Sequence, residues 1–116
     1  MSYECFDLTV TNRIAHIRLN RPEKANSMIP SFWTELPSAV NALSREASAR
    51  VLVISAEGKH FCSGMDISVF TDGGLDGPEG ANSHIGAEAF RHHCMALQDA
   101  FTCLEQARMP VLVAVQ

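Results

Sequence analysis

The segment Gly58-Lys59-His60-Phe61-Cys62-Ser63-Gly64-Met65-Asp66-Ile67 follows closely on the apolar run Val51-Leu52-Val53-Ile54. The run reads as a buried strand. A strand that ends in a glycine-containing turn and then opens a helix leaves backbone N–H groups aimed at open space. The first turn of a helix has unpaired N–H groups and a positive dipole end, so such donors can hold a negatively charged oxygen. By this reading the segment offers half of an oxyanion hole, suited to chemistry on a thioester or a similar carbonyl. The competing reading is an ordinary tight turn whose amides bond to solvent.

Cys62 and Ser63 are nucleophile types, but no histidine stands beside them with an orienting acid in a recognised order. His60 would share a strand face with Cys62, which does not by itself make a dyad. Cys62 is expected to pack as a small apolar residue. Lys24 is a lone cation, for which a solvated surface lysine is a serious reading. Phe32, Trp33 and Phe70 are candidates to line an apolar pocket, with Phe32 more at home in the core.

Two strands, Cys5 to Val10 and Ile14 to Leu19, should open the chain; in the second, Ala15, Ile17 and Leu19 alternate with His16 and Arg18. Thr11-Asn12-Arg13 suits a hairpin turn. After the polar loop from Asn20 to Ser27, a helix should run from Pro30 or Ser31 to Ser44. Its buried face would be Phe32, Leu36, Ala39, Val40 and Leu43, with a kink or fresh start at Pro37. The strand Val51 to Ser55 follows, then a short helix from Asp66 through about Phe70. The glycine-rich stretch 71–80 reads as a mobile loop able to act as a lid. A longer helix, Ala87 to Gln106, should bury Phe90, Cys94, Leu97, Phe101 and Leu104. Val111 to Val115 reads as a fully buried strand. Strands alternating with helices make the fold α/β.

The chain has 116 residues, 47% of them hydrophobic, and a formal charge of −4, enough for one modest core. No lysine or arginine run favours nucleic acid. No apolar stretch approaches the roughly 20 residues that span a bilayer. The start lacks a basic segment followed by an apolar one, so a cytoplasmic location is the default expectation. Cys5, Cys62, Cys94 and Cys103 form no C-x-x-C pair and are expected to be reduced. His84, His92, His93 and Cys94 do not read as a metal site, because neighbours on a helix point about 100° apart. Gln116 directly follows a buried-type strand, so 1–116 is expected to be part of a longer domain.

Four blocks then resemble the enoyl-CoA hydratase/isomerase (crotonase) superfamily. They are Asn20-Arg21-Pro22-Glu23-Lys24-Ala25-Asn26-Ser27-Met28, Val51-Leu52-Val53-Ile54, Phe61-Cys62-Ser63-Gly64-Met65-Asp66-Ile67 and Pro110-Val111-Leu112-Val113-Ala114-Val115-Gln116. The third block is similar to those of the dienoyl-CoA isomerase and enoyl-CoA hydratase branches. The resemblance implies a ClpP/crotonase-like fold of repeated ββα units, of which 1–116 is the N-terminal half. It implies trimers or pairs of trimers, acyl-CoA substrates of fatty-acid oxidation, and an enolate-like intermediate. Coenzyme A belongs to the substrate, and no separate cofactor or metal is implied.

By position, Met65 N–H would be the first oxyanion donor. Lys24, Ala25, Ser63, Gly64, Met65, Asp66, Ile67 and Phe70 would contact the substrate or its CoA, Ala25 through its backbone near the adenine. Asp66 is expected to cap the turn rather than move protons. The second donor and the acid and base lie beyond Gln116 in the family, so the 116-residue chain alone is expected to be inactive. The rival reading is a non-catalytic module that binds CoA thioesters or assists subunit assembly.

Overall fold

The computed structural model describes residues 2–68 and 84–116. Two strands, β1 (Phe6–Thr11) and β2 (Ile14–Leu19), form an antiparallel hairpin in which Thr11 pairs with Ile14. The turn therefore holds two residues, Asn12 and Arg13, at φ 53° and 66°. Two successive positive φ values match the right-handed twist of the flanking strands. A 3₁₀ turn, Pro22–Lys24, leads towards α1 (Phe32–Glu46), then β3 (Val51–Ala56), α2 (His84–Gln106) and β4 (Val111–Val113). The sheet order is β1-β2-β3-β4; β3 lies parallel to β2, and β4 parallel to β3.

Parallel neighbours require crossovers, and α1 and α2 supply them. Right-handed crossovers advancing in one direction put both helices on the same side of the sheet. That side is where Ala15, Ile17, Leu19, Leu52 and Ile54 are buried against Phe32, Leu36, Ala39, Val40 and Leu43. The alternation along β2 and the buried face of α1 are as the spacing predicts. On the other face, His16 Nε2 and Ser55 Oγ lie 2.6 Å apart across β2 and β3. The Glu35 carboxylate, in the first turn of α1, accepts the N–H groups of Glu4 and Cys5 at 2.8 and 3.1 Å and pins the lead-in to β1. Burial pushes the Cys5 thiol up to about 11, so it packs as a neutral group.

Four expectations are corrected. First, α1 runs through Pro37 with no fresh start there. Pro37 lacks the N–H that would reach the Trp33 carbonyl, but buried residues on both sides of it hold the helix to the sheet. Second, the deepest residues of α2 are Ala100 and Cys103, at 1% and 7% exposure, whereas Phe101 is 45% exposed. Small side chains let α2 approach α1 closely, and the bulky stripe falls beside the contact. Third, β4 spans Val111–Val113 and stops short of the expected Val115; among the described residues its strand neighbour is β3. Its outer edge has no neighbour among the described residues. Fourth, the first strand runs one residue later than the apolar run suggests. The short helix expected from Asp66 through Phe70 extends past the described residues, and the glycine-rich loop at 71–80 lies wholly outside them.

Candidate active site

Two loops meet at the end of β3. The first, after β2, turns sharply because Ala25 and Asn26 both take positive φ, 51° and 53°. Asn26 is buried, and its side-chain amide is fully used. It donates to the carbonyls of Glu57 and His60 at 2.8 and 2.9 Å and accepts the N–H of Arg21 at 2.8 Å. One short amide thus ties the first loop to the second. At Gly58, φ is 95°, and an added Cβ would lie 2.6 Å from the Pro22 Cβ, so only glycine allows this approach.

Past that junction the loops run side by side. Ser63 N–H donates to the Ala25 carbonyl at 3.1 Å, Met28 N–H to the Gly64 carbonyl at 2.8 Å, and Asp66 N–H to the Met28 carbonyl at 2.9 Å. The last two bonds are a parallel bridge between Met28 and Met65. In such a bridge the carbonyl before Met65 and the amide after it face Met28, so the N–H of Met65 itself points the opposite way. Among the described residues nothing accepts from it. The amide is presented by a bridge rather than by the open end of a helix, which corrects the geometry expected from the sequence. Gly64 has φ 102°, and among the described residues no heavy atom lies within 4 Å of where a Cβ would stand. The dihedral, not crowding, demands glycine there.

Asp66 sits beneath this turn. Its Oδ2 accepts the Ser27 hydroxyl at 2.6 Å and faces Arg21 Nη2 at 3.4 Å, while Oδ1 accepts the Ser68 N–H at 3.0 Å. The Ser27 hydroxyl, then Ser68 and more weakly the Arg21 guanidinium hold the carboxyl well below the usual carboxylate range. A carboxylate held in its charged form by these donors is a poor proton acceptor and a good anchor.

The structure brings Lys24, Ala25, Ser63, Gly64, Met65 and Asp66 into one cluster. Lys24 is exposed, and its neighbour Ala25 is half-buried. Ile67 follows at 77% exposure. Phe70 lies outside the described residues. Cys62 is half-buried and lines an apolar cavity of about 210 Å³ with Met28, Phe32, Leu36, Phe101 and Leu104. Trp33 stands at the cavity's border, edge-on to Phe101 with ring centroids 5.4 Å apart. A larger open hollow of about 600 Å³ around Tyr3, Asp7, His16 and Arg18 shares no residue with the turn. Among the described residues no group of three His, Cys, Asp or Glu side chains is placed to hold a metal ion. Sequence reasoning passed over Arg21, Asn26 and Ser27 as a polar loop. The signal available was their type, since short amides and hydroxyls are the side chains that satisfy backbone at tight turns.

A helix-covered sheet in which strand β3 delivers such a turn defines a crotonase-like α/β fold. The chain belongs to the enoyl-CoA hydratase/isomerase family, whose model matches residues 9–116. It is 34% identical over 115 residues to the human mitochondrial Delta(3,5)-Delta(2,4)-dienoyl-CoA isomerase, covering 98% of this chain and 35% of that protein. To the peroxisomal isomerase of that name from Arabidopsis thaliana it is 30% identical over 117 residues, covering 98% of this chain and 42% of that protein. Among solved structures it is similar to Pseudomonas aeruginosa AtuE, with a TM-score of 0.80 and 26% identity over 97% of this chain and 40% of that one. It also shares the fold of an enoyl-CoA hydratase from Mycobacterium smegmatis, with a TM-score of 0.71 and 24% identity over 95% of this chain and 39% of that one. The chain thus spans well under half the length of these relatives.

The expected cytoplasmic location is overturned by these comparisons. The mouse, rat and human isomerases are named as mitochondrial proteins. The expectation rested on the missing basic-then-apolar start, which bears on secretion and not on other compartments.

Proposed function

We propose that this chain supplies the first oxyanion donor of an enzyme that hydrates or isomerises a double bond in an acyl-CoA thioester. The observation that carries the reading is the Met65 N–H, turned away from its bridge and accepted by no described residue. In hydration, water oxygen bonds to the β-carbon and the π pair moves onto the thioester oxygen. In isomerisation, a proton leaves carbon and the same oxygen takes the charge. Either way an enolate forms, and a donor fixed beforehand stabilises it more than the neutral thioester. The dienoyl-CoA isomerase relatives support this substrate class.

In this reading Lys24 faces a CoA phosphate, and Ala25 meets the adenine through its backbone. Ser63, Gly64, Ile67 and Phe70 flank the thioester and acyl chain, and Asp66 holds the turn. Coenzyme A arrives as part of the substrate. Residues 1–116 form the N-terminal part of a crotonase-like domain. The second donor and the acid and base lie further along the protein, which assembles as trimers or pairs of trimers.

The test is Met65→Pro in the full-length protein, which deletes the N–H, set against Met65→Ala, which keeps it. On trans-2-enoyl-CoA and dienoyl-CoA substrates, Met65→Pro should lose on the order of 10²–10³ in kcat, and Met65→Ala should stay near wild type. Equal activity in the two variants would remove Met65 from the reaction.

A further inference from the structure

The turn that presents Met65 is held to the first loop by polar bonds. Among the described residues nothing lies within 4 Å of where a Gly64 side chain would begin, and Ile67 beyond it is 77% exposed. Its conformation rests on two backbone bonds to Met28 on one side and on the Asp66 carboxylate on the other. That carboxylate is gripped by two residues of the first loop, Ser27 at 2.6 Å and Arg21 at 3.4 Å. Both lie far from Asp66 in sequence.

Arg21 adds a second observation. Its Nη1 is buried and has no hydrogen-bond partner among the described residues. A buried guanidinium nitrogen without a partner costs stability, so the residue is a poor choice for holding loops together alone. Violations of this kind collect where geometry matters more than stability. An oxyanion donor is such a place, because its benefit depends on position to within about 0.5 Å.

Building on the oxyanion reading above, we propose that Ser27 and Arg21 are positioning residues for the Met65 N–H, acting through Asp66. They fix the carboxylate, the carboxylate fixes the 64–68 turn, and the turn aims the amide. Neither residue touches the substrate. The strongly depressed carboxyl of Asp66 fits a permanently charged anchor. The clamp therefore does not switch with pH near neutrality, and its loss should appear in the chemical step rather than in substrate affinity.

The experiment uses the full-length protein and three variants, Ser27→Ala, Ser27→Thr and Arg21→Lys. It reads kcat and KM separately, together with the infrared carbonyl stretch of a bound enoyl-CoA labelled with ¹³C at the thioester. Ser27→Ala should lower kcat by roughly 10- to 100-fold, as a small misplacement of a catalytic group does, with KM changed by less than about threefold. Its bound carbonyl band should move back towards the free-solution position, and Ser27→Thr, which keeps the hydroxyl, should restore both. Arg21→Lys, which keeps charge but not the planar fork, should fall between. Wild-type kcat and an unmoved band in Ser27→Ala and Arg21→Lys would overturn the clamp. So would a kcat loss matched by the loss of folded protein with the band unmoved. A wild-type enzyme that leaves the bound carbonyl unshifted would instead bring down the Met65 reading and the clamp with it, so the two failures are distinguishable.

Discussion

At Asp66, three donors converge on one carboxylate, and a pH dependence follows. The folded pKa lies below the unfolded one, so the charged form is the one that folding favours. The stabilisation is fully present above the ordinary carboxylate value of about 3.9 and is lost as pH falls below it through the folded value. Acid unfolding followed by circular dichroism should show a steep fall in stability below about pH 4. In Asp66→Asn that fall should be shallower, with lower stability at neutral pH. Identical acid limbs in the two proteins would mean that the carboxylate is not held by its neighbours. Met65 is different in kind. Its proposed contribution is a backbone N–H, so its side chain carries no information, and only the bridge to Met28 reveals which way the amide points.

Among the elements, α1 offers the clearest test of local conformation. It ends on Ala47, an exposed residue with φ 53° in the left-handed region. An L side chain there costs roughly 1–2 kcal/mol, which glycine avoids. Ala47→Gly should therefore raise the melting temperature; a lower one would mean that the helix does not end as described. The Arg108 N–H and guanidinium bond the Ser44 hydroxyl, the Ser44 carbonyl and the Ala49 carbonyl at 2.8 to 3.3 Å, closing the same corner from the α2 side. The elements themselves were legible in the sequence because their signals are local. Period-two alternation marks Ala15, Ile17 and Leu19, and helical spacing marks Phe32, Leu36, Ala39, Val40 and Leu43. Pro37 and Phe101 misled because their fate depends on neighbours. A proline is carried inside a helix when packing on both sides holds it, and Phe101 stays 45% exposed while its ring packs on Phe32 and Trp33 of α1. The grip of Ser27 on Asp66 was invisible for a related reason: it spans 39 positions, and no periodicity reports it.

Across the whole molecule, one sheet face is covered by α1 and α2, and β4 leaves an apolar edge with Leu112 and Val113 at 58% and 49% exposure. The apolar run Val111 to Val115 correctly marked a strand. The strand itself is shorter than the run, Val111–Val113. Two loops, fastened by Asn26, hold the proposed donor at the end of β3, and every other statement about catalysis depends on where that donor points. The most direct measurement is a crystal structure of the full-length protein with an enoyl-CoA thioester bound. The thioester oxygen should lie about 2.7–3.1 Å from the Met65 nitrogen, with the Ser27–Asp66 bond intact. A carbonyl bound elsewhere, or a Met65 N–H satisfied by a protein acceptor in that complex, would contradict the account.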